Sequence, residues 1–244
     1  MSVTDVHTEW LENQAAYLAR ASRPRGGVLV IHEGFGLNEH AQAVCRRLAA
    51  EGFTALAPDL YRRGPDRLAG YDEYDKAVAM LRSLPDEQVL ADLGAGLGRL
   101  QELCGPAPVG VVGFRIGGRY ALLLAARERS RVGGAVSYYG SGIDAGTFSA
   151  LWTLDALAEA TSTSAPLLLF FAGRDATVTE AEVSRIEQRL RARGPSCEVV
   201  RYPGVRPGFL FEGRDTFSPV EAADAWRRTL AFLGAHVQRA GPCQ

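Results

Sequence analysis

Short apolar runs that alternate with segments of helical period constrain this chain more than any other feature. Residues 27–32 (GVLVIH), 53–57, 108–114 (PVGVVGF), 132–139, 166–172 and 197–202 are short, apolar and rich in β-branched or aromatic residues, the composition of buried strands. Residues 38–52, 71–84, 85–104, 117–129, 179–193 and 218–237 lie between and after them and read as helices. Asn38 can cap the first of these and Gly52 can close it; Ser218, Pro219 and Glu221 mark the start of the last. Residues 14–20 read as an edge strand, 144–164 as loop or short helix and 204–217 as a Gly-rich loop. Strand–helix alternation of this kind means parallel βαβ units with helices on both faces. The expected fold class is therefore α/β with a mostly parallel sheet. No repeat or linker interrupts it, so a single domain over 1–244 is expected, with 1–13 as an N-terminal tail.

In such sheets ligands bind beyond the carboxyl ends of the strands. The segments that follow the strands are 32–38, 58–63, 114–118, 138–141, 173–177 and 202–209, and a site should be assembled from them. Composition narrows the ligand. Of 27 basic residues all but Lys76 are Arg, the net charge is -1, and no basic stripe points to nucleic acid. The chain starts MSVTDVHTEWLENQ, with acids and no apolar run, unlike a signal peptide. The longest apolar run, 166–172, is too short for a bilayer. The four Cys form no C-x-x-C pair, as expected for reduced thiols in a cytoplasmic protein. The four His show no metal spacing, and the LGAGLG run at 93–98 lacks both the dinucleotide spacing and a preceding strand. The expectation is a small-molecule partner, no cofactor, no metal, no nucleic acid and no membrane, in a monomer or homodimer.

The segment Gly113-Phe-Arg-Ile-Gly117 runs from a strand straight into a helix. A G-x-S-x-G turn at such a corner is strained and lifts a nucleophile above the sheet. Here the central residue is Arg115, and a guanidinium is always protonated and cannot attack.

GGVLVIHEGFGLNEH (26–40), RRLAAEGFTALAPDLYRR (46–63), GFRIGGRYAL (113–122), SYYG (137–140), AGRD (172–175), RYPG (201–204) and AWRRTLAFL (225–233), together with AYLAR at 16–20, occur in an order that resembles the dienelactone hydrolase family. The resemblance covers about 14–237 and implies an α/β-hydrolase fold with a Cys or Ser nucleophile, a His, an Asp and a Glu near the first buried strand. Carried over, the Glu matches Glu33 and the Asp matches Asp175. The nucleophile position holds Arg115, and the slot of the His, after Tyr202-Pro-Gly-Val-Arg206, holds Pro207. None of the four histidines is placed to substitute: His7 falls in the tail, His32 within a strand, His40 inside the first long helix and His236 in the last helix.

What remains is a pocket with two carboxylates and new arginines. Glu33, Arg115 and Asp175 are the candidate catalytic residues, with Glu33 as acid or base and Arg115 as stabiliser of an anion or oxyanion. The backbone N–H groups of Gly34 and Ile116 match the family's oxyanion donors. Gly34, Phe35, Arg62, Ile116, Tyr138 and Arg206 are the candidate substrate contacts, with Tyr139 as an alternative phenol donor and Asp59, Tyr61 and Arg63 sharing the loop of Arg62. Three readings stay open: a cofactor-free cyclase, isomerase, dehydratase or lyase acting on a small carbonyl-bearing or anionic molecule; a hydrolase of esters or lactones that activates water; and a non-catalytic binder in which Arg115 only neutralises a carboxylate.

Overall fold

The computed structural model describes residues 7–11, 15–144 and 152–237. They build one eight-stranded sheet flanked by seven α-helices. In chain order the strands are β1 (His7–Leu11), β2 (Ala16–Arg20), β3 (Gly26–Ile31), β4 (Phe53–Pro58), β5 (Val109–Phe114), β6 (Val132–Tyr138), β7 (Leu167–Ala172) and β8 (Cys197–Tyr202). Their order across the sheet is β1-β2-β4-β3-β5-β6-β7-β8. From β4 to β8 every pairing is parallel, and β1 and β2 add an antiparallel flank. The mostly parallel α/β architecture expected from the alternation is therefore the one observed. Two expectations at the N-terminus change. Residues 7–11, expected in the tail, form the outermost strand, and β2 lies inside it rather than at the edge.

The helices are α1 (Glu39–Ala50), α2 (Tyr74–Arg82), α3 (Asp86–Cys104), α4 (Ile116–Arg127), α5 (Ala156–Ser162), α6 (Glu180–Arg191) and α7 (Pro219–His236). Val44 and Leu48 of α1 and Ala225 and Leu233 of α7 belong to one apolar cluster, while Leu93, Leu97, Leu122, Leu157 and Ile186 of α3 to α6 belong to the other. Two apolar layers thus sandwich the sheet. Asn38 caps α1 as expected, its side chain accepting the Ala41 N–H. Ser218 begins α7 differently: its hydroxyl donates to the Glu221 carboxylate and makes no cap bond to the helix backbone.

α4 carries the turn residue Arg115 at its start, so its anchoring matters to the site. The fully buried Arg119 donates Nη1 and Nη2 to the two oxygens of Asp86 at the start of α3, at 2.8 and 3.1 Å. Asp86 also accepts from the Tyr120 hydroxyl and from the Thr153 and Leu154 N–H groups, each at 3.0 Å. Burial pushes this carboxyl up, but the Arg119 bonds and charge outweigh it and hold it below its ordinary value. A folded value below the unfolded one contributes stability above the ordinary carboxylate range, and that stability is lost as pH falls through the folded value. Arg119→Met removes the cation and leaves a buried carboxylate. It should cost about 3–5 kcal/mol, a fall in Tm of roughly 10 °C for a domain of this size. Adding Asp86→Asn should recover part of the loss, because it removes the buried charge while the amide oxygen still accepts the Thr153 and Leu154 N–H groups and the amide nitrogen can donate to the Tyr120 hydroxyl. Thermal unfolding of the single and double variants at neutral pH checks both.

Candidate active site

The corner between β5 and α4 is built by glycines at contact. A Cβ on Gly113 would lie 2.0 Å from the Gly117 carbonyl oxygen, and one on Gly117 would lie 2.3 Å from that of Ile31. The chain can turn that sharply only if Arg115 adopts φ 53° and ψ -118°, a region that bulky residues rarely occupy. Its backbone is pinned by three hydrogen bonds, Arg115 N–H to Tyr138 O and the N–H groups of Gly118 and Ser141 to Arg115 O. The elbow geometry is thus present with an arginine on it.

The Arg115 side chain lines a cavity of about 260 Å³ together with Glu33, Gly34, Phe35, Ile116, Pro207 and Arg214. Tyr71, Ala77, Val78 and Leu81 also line it. Arg115 Nη1 donates to Asp175 Oδ2 at 2.7 Å. Asp175 Oδ1 accepts the N–H groups of Thr177 and Val178 at 2.8 and 3.1 Å. The Asp175 side chain is 2% exposed and its oxygens are occupied. Arg115 is 23% exposed, and its Nε and Nη2 have no hydrogen-bond acceptor among the described residues. One face of the guanidinium therefore neutralises Asp175 and the rest is open to the cavity.

Glu33 stands just after β3, 4% exposed. Its one ion pair is long, 3.4 Å from Arg214 Nη1 to Oε1. Burial pushes the carboxyl above its ordinary value, and the charges of Arg214 and Arg115 and the Tyr71 phenol offset only part of that. Asp175 is saturated with donors and Glu33 is not, so the two carboxylates are suited to different work. Gly34 and Ile116 line the cavity. Ile116 is the first residue of α4, so its N–H has no partner within the helix.

Glu33, Arg115, Asp175, Gly34, Phe35 and Ile116 are brought together as the sequence suggested. Three others are not. Tyr138 directs its hydroxyl away, to Ala225 O at 3.2 Å and Thr229 Oγ1 at 2.7 Å on α7. Arg62 is paired with Asp92 at 2.9 Å, beside a separate small cavity. Arg206 turns outward to Asp215 at 2.9 Å. Tyr139, the alternative phenol, does not line the cavity either. It is fully buried, its hydroxyl has no hydrogen-bond partner, and burial followed by the Glu33 charge raises it well above the ordinary range.

Sequence reasoning missed Arg214, Tyr71 and His40. Arg214 sits over the Tyr71 ring at 4.0 Å while reaching Glu33. His40 is the second residue of α1, and its ring reaches the Tyr71 hydroxyl at 2.7 Å from Nδ1. His40 lies inside helix α1 as expected and touches neither Arg115 nor Asp175; its contacts are Tyr71 and Phe211. Among the described residues, no group of three or more His, Cys, Asp or Glu is placed to hold a metal ion, and no helix is long and apolar enough to cross a membrane.

The raised Glu33 carboxyl has a measurable consequence. Its folded value lies above its unfolded one, so between the two the native state binds more protons and stability falls as pH rises. Glu33→Gln should abolish that fall. The variant should melt at a higher temperature than the parent at pH 7 to 8, with the gap closing towards pH 4.5. Paired thermal melts across this range decide it.

A family model, the dienelactone hydrolase family, matches residues 14–237. An Escherichia coli K12 protein named "Putative carboxymethylenebutenolidase" is 33% identical over 235 residues, covering 91% of this chain and 82% of its own. A Methylorubrum extorquens protein of the same name is 34% identical over 219 residues, covering 86% and 73%. Among solved structures, a Klebsiella pneumoniae protein described as a "Putative Dienelactone Hydrolase" superposes with a TM-score of 0.80 at 30% identity, over 95% of this chain and 98% of that one. A dienelactone hydrolase-like phosphotriesterase from metagenomic libraries shares the fold at 20% identity, with a TM-score of 0.71 over 97% and 100%.

Proposed function

The chain belongs to the dienelactone hydrolase family, and from that premise we propose that it performs non-covalent acid–base chemistry on a small carbonyl-bearing anion. The observation that carries the reading is the pairing of Arg115, on the turn where the family's nucleophile would stand, with Asp175, while Glu33 remains buried, underbonded and shifted towards neutrality. A guanidinium forms no acyl intermediate. Pro207, in the slot where the resemblance puts the His, has no ring nitrogen to accept a proton. No covalent step is therefore assigned to the pocket.

Proton transfer is what the remaining groups can do. Glu33 is the one carboxyl in the cavity with free oxygen valence, and burial brings it nearer to the working range of a general base. A carbonyl oxygen seated at the Gly34 and Ile116 N–H groups, with Arg115 Nε or Nη2 beside it, would gain stabilisation as Glu33 takes a proton from the adjacent carbon. The C–H bond breaks, its electron pair forms the enolate, and the proton rests on Glu33 until it is returned at another position or a leaving group departs. Cyclisation, isomerisation, dehydration and lyase cleavage all share this step. Ala77, Val78, Leu81 and Phe35 give the cavity apolar lining beside its charged groups, so the substrate pairs an apolar body with an anionic or carbonyl head. A cavity of about 260 Å³ suits a ligand at the small end of the usual range.

Two measurements test the reading. Intact-mass spectrometry after incubation with p-nitrophenyl acetate should find no stoichiometric acyl adduct in the pocket; an adduct on a pocket residue would sink the proposal. Proton NMR of phenylpyruvate and a panel of small 2-oxo acids and 1,3-diketones in D2O should show protein-catalysed exchange of the acidic C–H. Glu33→Gln should slow that exchange by about 10²–10⁴-fold, and Arg115→Met should raise the concentration needed for half-saturation. Ester or lactone turnover without an adduct would replace this reading with hydrolysis by a water that Glu33 activates.

A further inference from the structure

Glu33 is almost fully enclosed, and a ligand in the cavity would close it further. A base so placed needs a path by which its proton reaches water. Three side chains at the rim of the cavity form a connected set. Asn38 Oδ1 is fixed by the cap bond to Ala41 N–H at 3.3 Å, which orients the amide so that Nδ2 donates to the Tyr71 hydroxyl at 3.0 Å. The same hydroxyl meets His40 Nδ1 at 2.7 Å. With Asn38 donating onto the phenol oxygen, the phenol's own proton has His40 Nδ1 as its acceptor; Glu33 lines the same cavity as Tyr71, and Arg214 joins the two, 4.0 Å over the Tyr71 ring and 3.4 Å from Glu33 Oε1.

The His40 ring is held between Phe211, with centroids 4.5 Å apart and planes 19° apart, and Tyr71, at 5.5 Å and 28°. Its orientation is therefore set by stacking as well as by the hydrogen bond. His40 is half-buried, and its Nε2 lies beside the exposed Gly213, 3.6 Å from where a Cβ on that glycine would stand. Arg214 packs on the other face of the arrangement, over the Tyr71 ring and beside Glu33.

We propose that Tyr71 and His40 are a proton relay between Glu33 and solvent. This rests on the reading of Glu33 as the acid–base group. In the outward direction the Glu33 O–H bond breaks as a new O–H bond forms on Tyr71. The Tyr71 proton passes to His40 Nδ1, and the imidazolium gives its Nε2 proton to water. The count balances at one proton taken from Glu33 and one released, and proton exchange with water restores the starting tautomer. Several groups govern the transfer. His40 is faced by Tyr71, by Glu39 of its own helix and by Arg214; burial and the Arg214 charge hold it below its ordinary value. Glu33 is faced by Arg214, Tyr71, Arg115, Tyr61 and Tyr139.

The test has a part that needs no substrate. The chain has four His, so the imidazole nitrogens can be resolved by 15N NMR of the full-length protein with labelled histidine. At neutral pH, His40 should carry its proton on Nε2 and accept at Nδ1, and Tyr71→Phe should abolish that preference. Its titration should also show a second inflection that disappears in Glu33→Gln. A tautomer indifferent to Tyr71→Phe, or a titration indifferent to Glu33→Gln, overturns the relay whatever the protein's activity.

The second part reads the exchange of phenylpyruvate or whichever 2-oxo acid the parent accepts. His40→Gly and Tyr71→Phe should each slow it on the order of tenfold or more, and free imidazole should restore the His40→Gly rate but not the Tyr71→Phe rate. If Glu33→Gln abolishes exchange while both relay variants match the parent, the relay is wrong and the role of Glu33 stands. If Glu33→Gln matches the parent, the functional reading fails, and the NMR result decides the proton connection by itself.

Discussion

The site depends on how closely the start of α4 passes under the ends of β3 and β6. Gly117 lies against the Ile31 carbonyl, and a Cβ on Gly118 would sit 2.3 Å from Ser137 Oγ. No side chain fits at either position. That contact forces the sharp corner, and the corner forces the positive φ at residue 115. Holding a non-glycine residue there costs on the order of 1–3 kcal/mol, which the three backbone hydrogen bonds at Arg115 and the parallel ladder around it sustain. In return the side chain at 115 points out of the sheet, and the N–H of Ile116 is left free at a helix start. Both consequences follow from the backbone and are indifferent to which side chain stands at 115.

The same corner explains how the charges sort. Arg115 reaches Asp175 because β7 ends beside β6, and the segment after β7 offers the Thr177 and Val178 N–H groups to the same carboxylate. Asp175 is thereby spent on structure. Glu33, on the far side of the corner, has only a long contact to Arg214, whose guanidinium is also engaged with the Tyr71 ring. Two carboxyl groups that look equivalent in the sequence thus differ in bonding: a proton on Asp175 would break a short ion pair, whereas one on Glu33 would loosen only a long one.

Much of this was legible because it is local. β-branched runs mark β3 and β5, Asn38 announces the start of α1, and the Gly-x-Arg-x-Gly spacing announces the corner. What escaped is non-local or depends on one backbone angle. Arg214 meets Glu33 across 181 positions of sequence, from a loop whose path no periodicity encodes. Tyr138 and Tyr139 were indistinguishable as phenol donors, because strand alternation stops between them. Tyr138 ends β6 and bonds to α7, whereas Tyr139 has φ 40° and leaves the strand. Arg62 and Arg206 lay in the right segments but were captured by nearby carboxylates, Asp92 and Asp215. His40 belongs to the first turn of α1, where side chains lean back towards the N-terminus, and so it meets Tyr71, a contact that helical period alone does not encode.

On the reading proposed above, the residues at 115 and 207 are not independent. In the pattern the resemblance implies, Asp175 would orient a His. Pro207 has no hydrogen to give it, and a 2%-exposed carboxylate without a charged partner would be costly. Arg115 fills that need from the opposite side of the pocket, so the substitution that removes the nucleophile also stabilises the acid left by the substitution that removes the base. The loops involved are already tied together, with Arg174 N–H donating to Val205 O at 2.9 Å, so neither carboxylate nor arginine needs a backbone shift to meet. The Gly34 and Ile116 N–H groups are unaffected by either change. A scaffold whose oxyanion donors belong to the backbone can lose its nucleophile and keep its electrostatics, and the chemistry left to it is whatever a buried carboxyl can do with one proton.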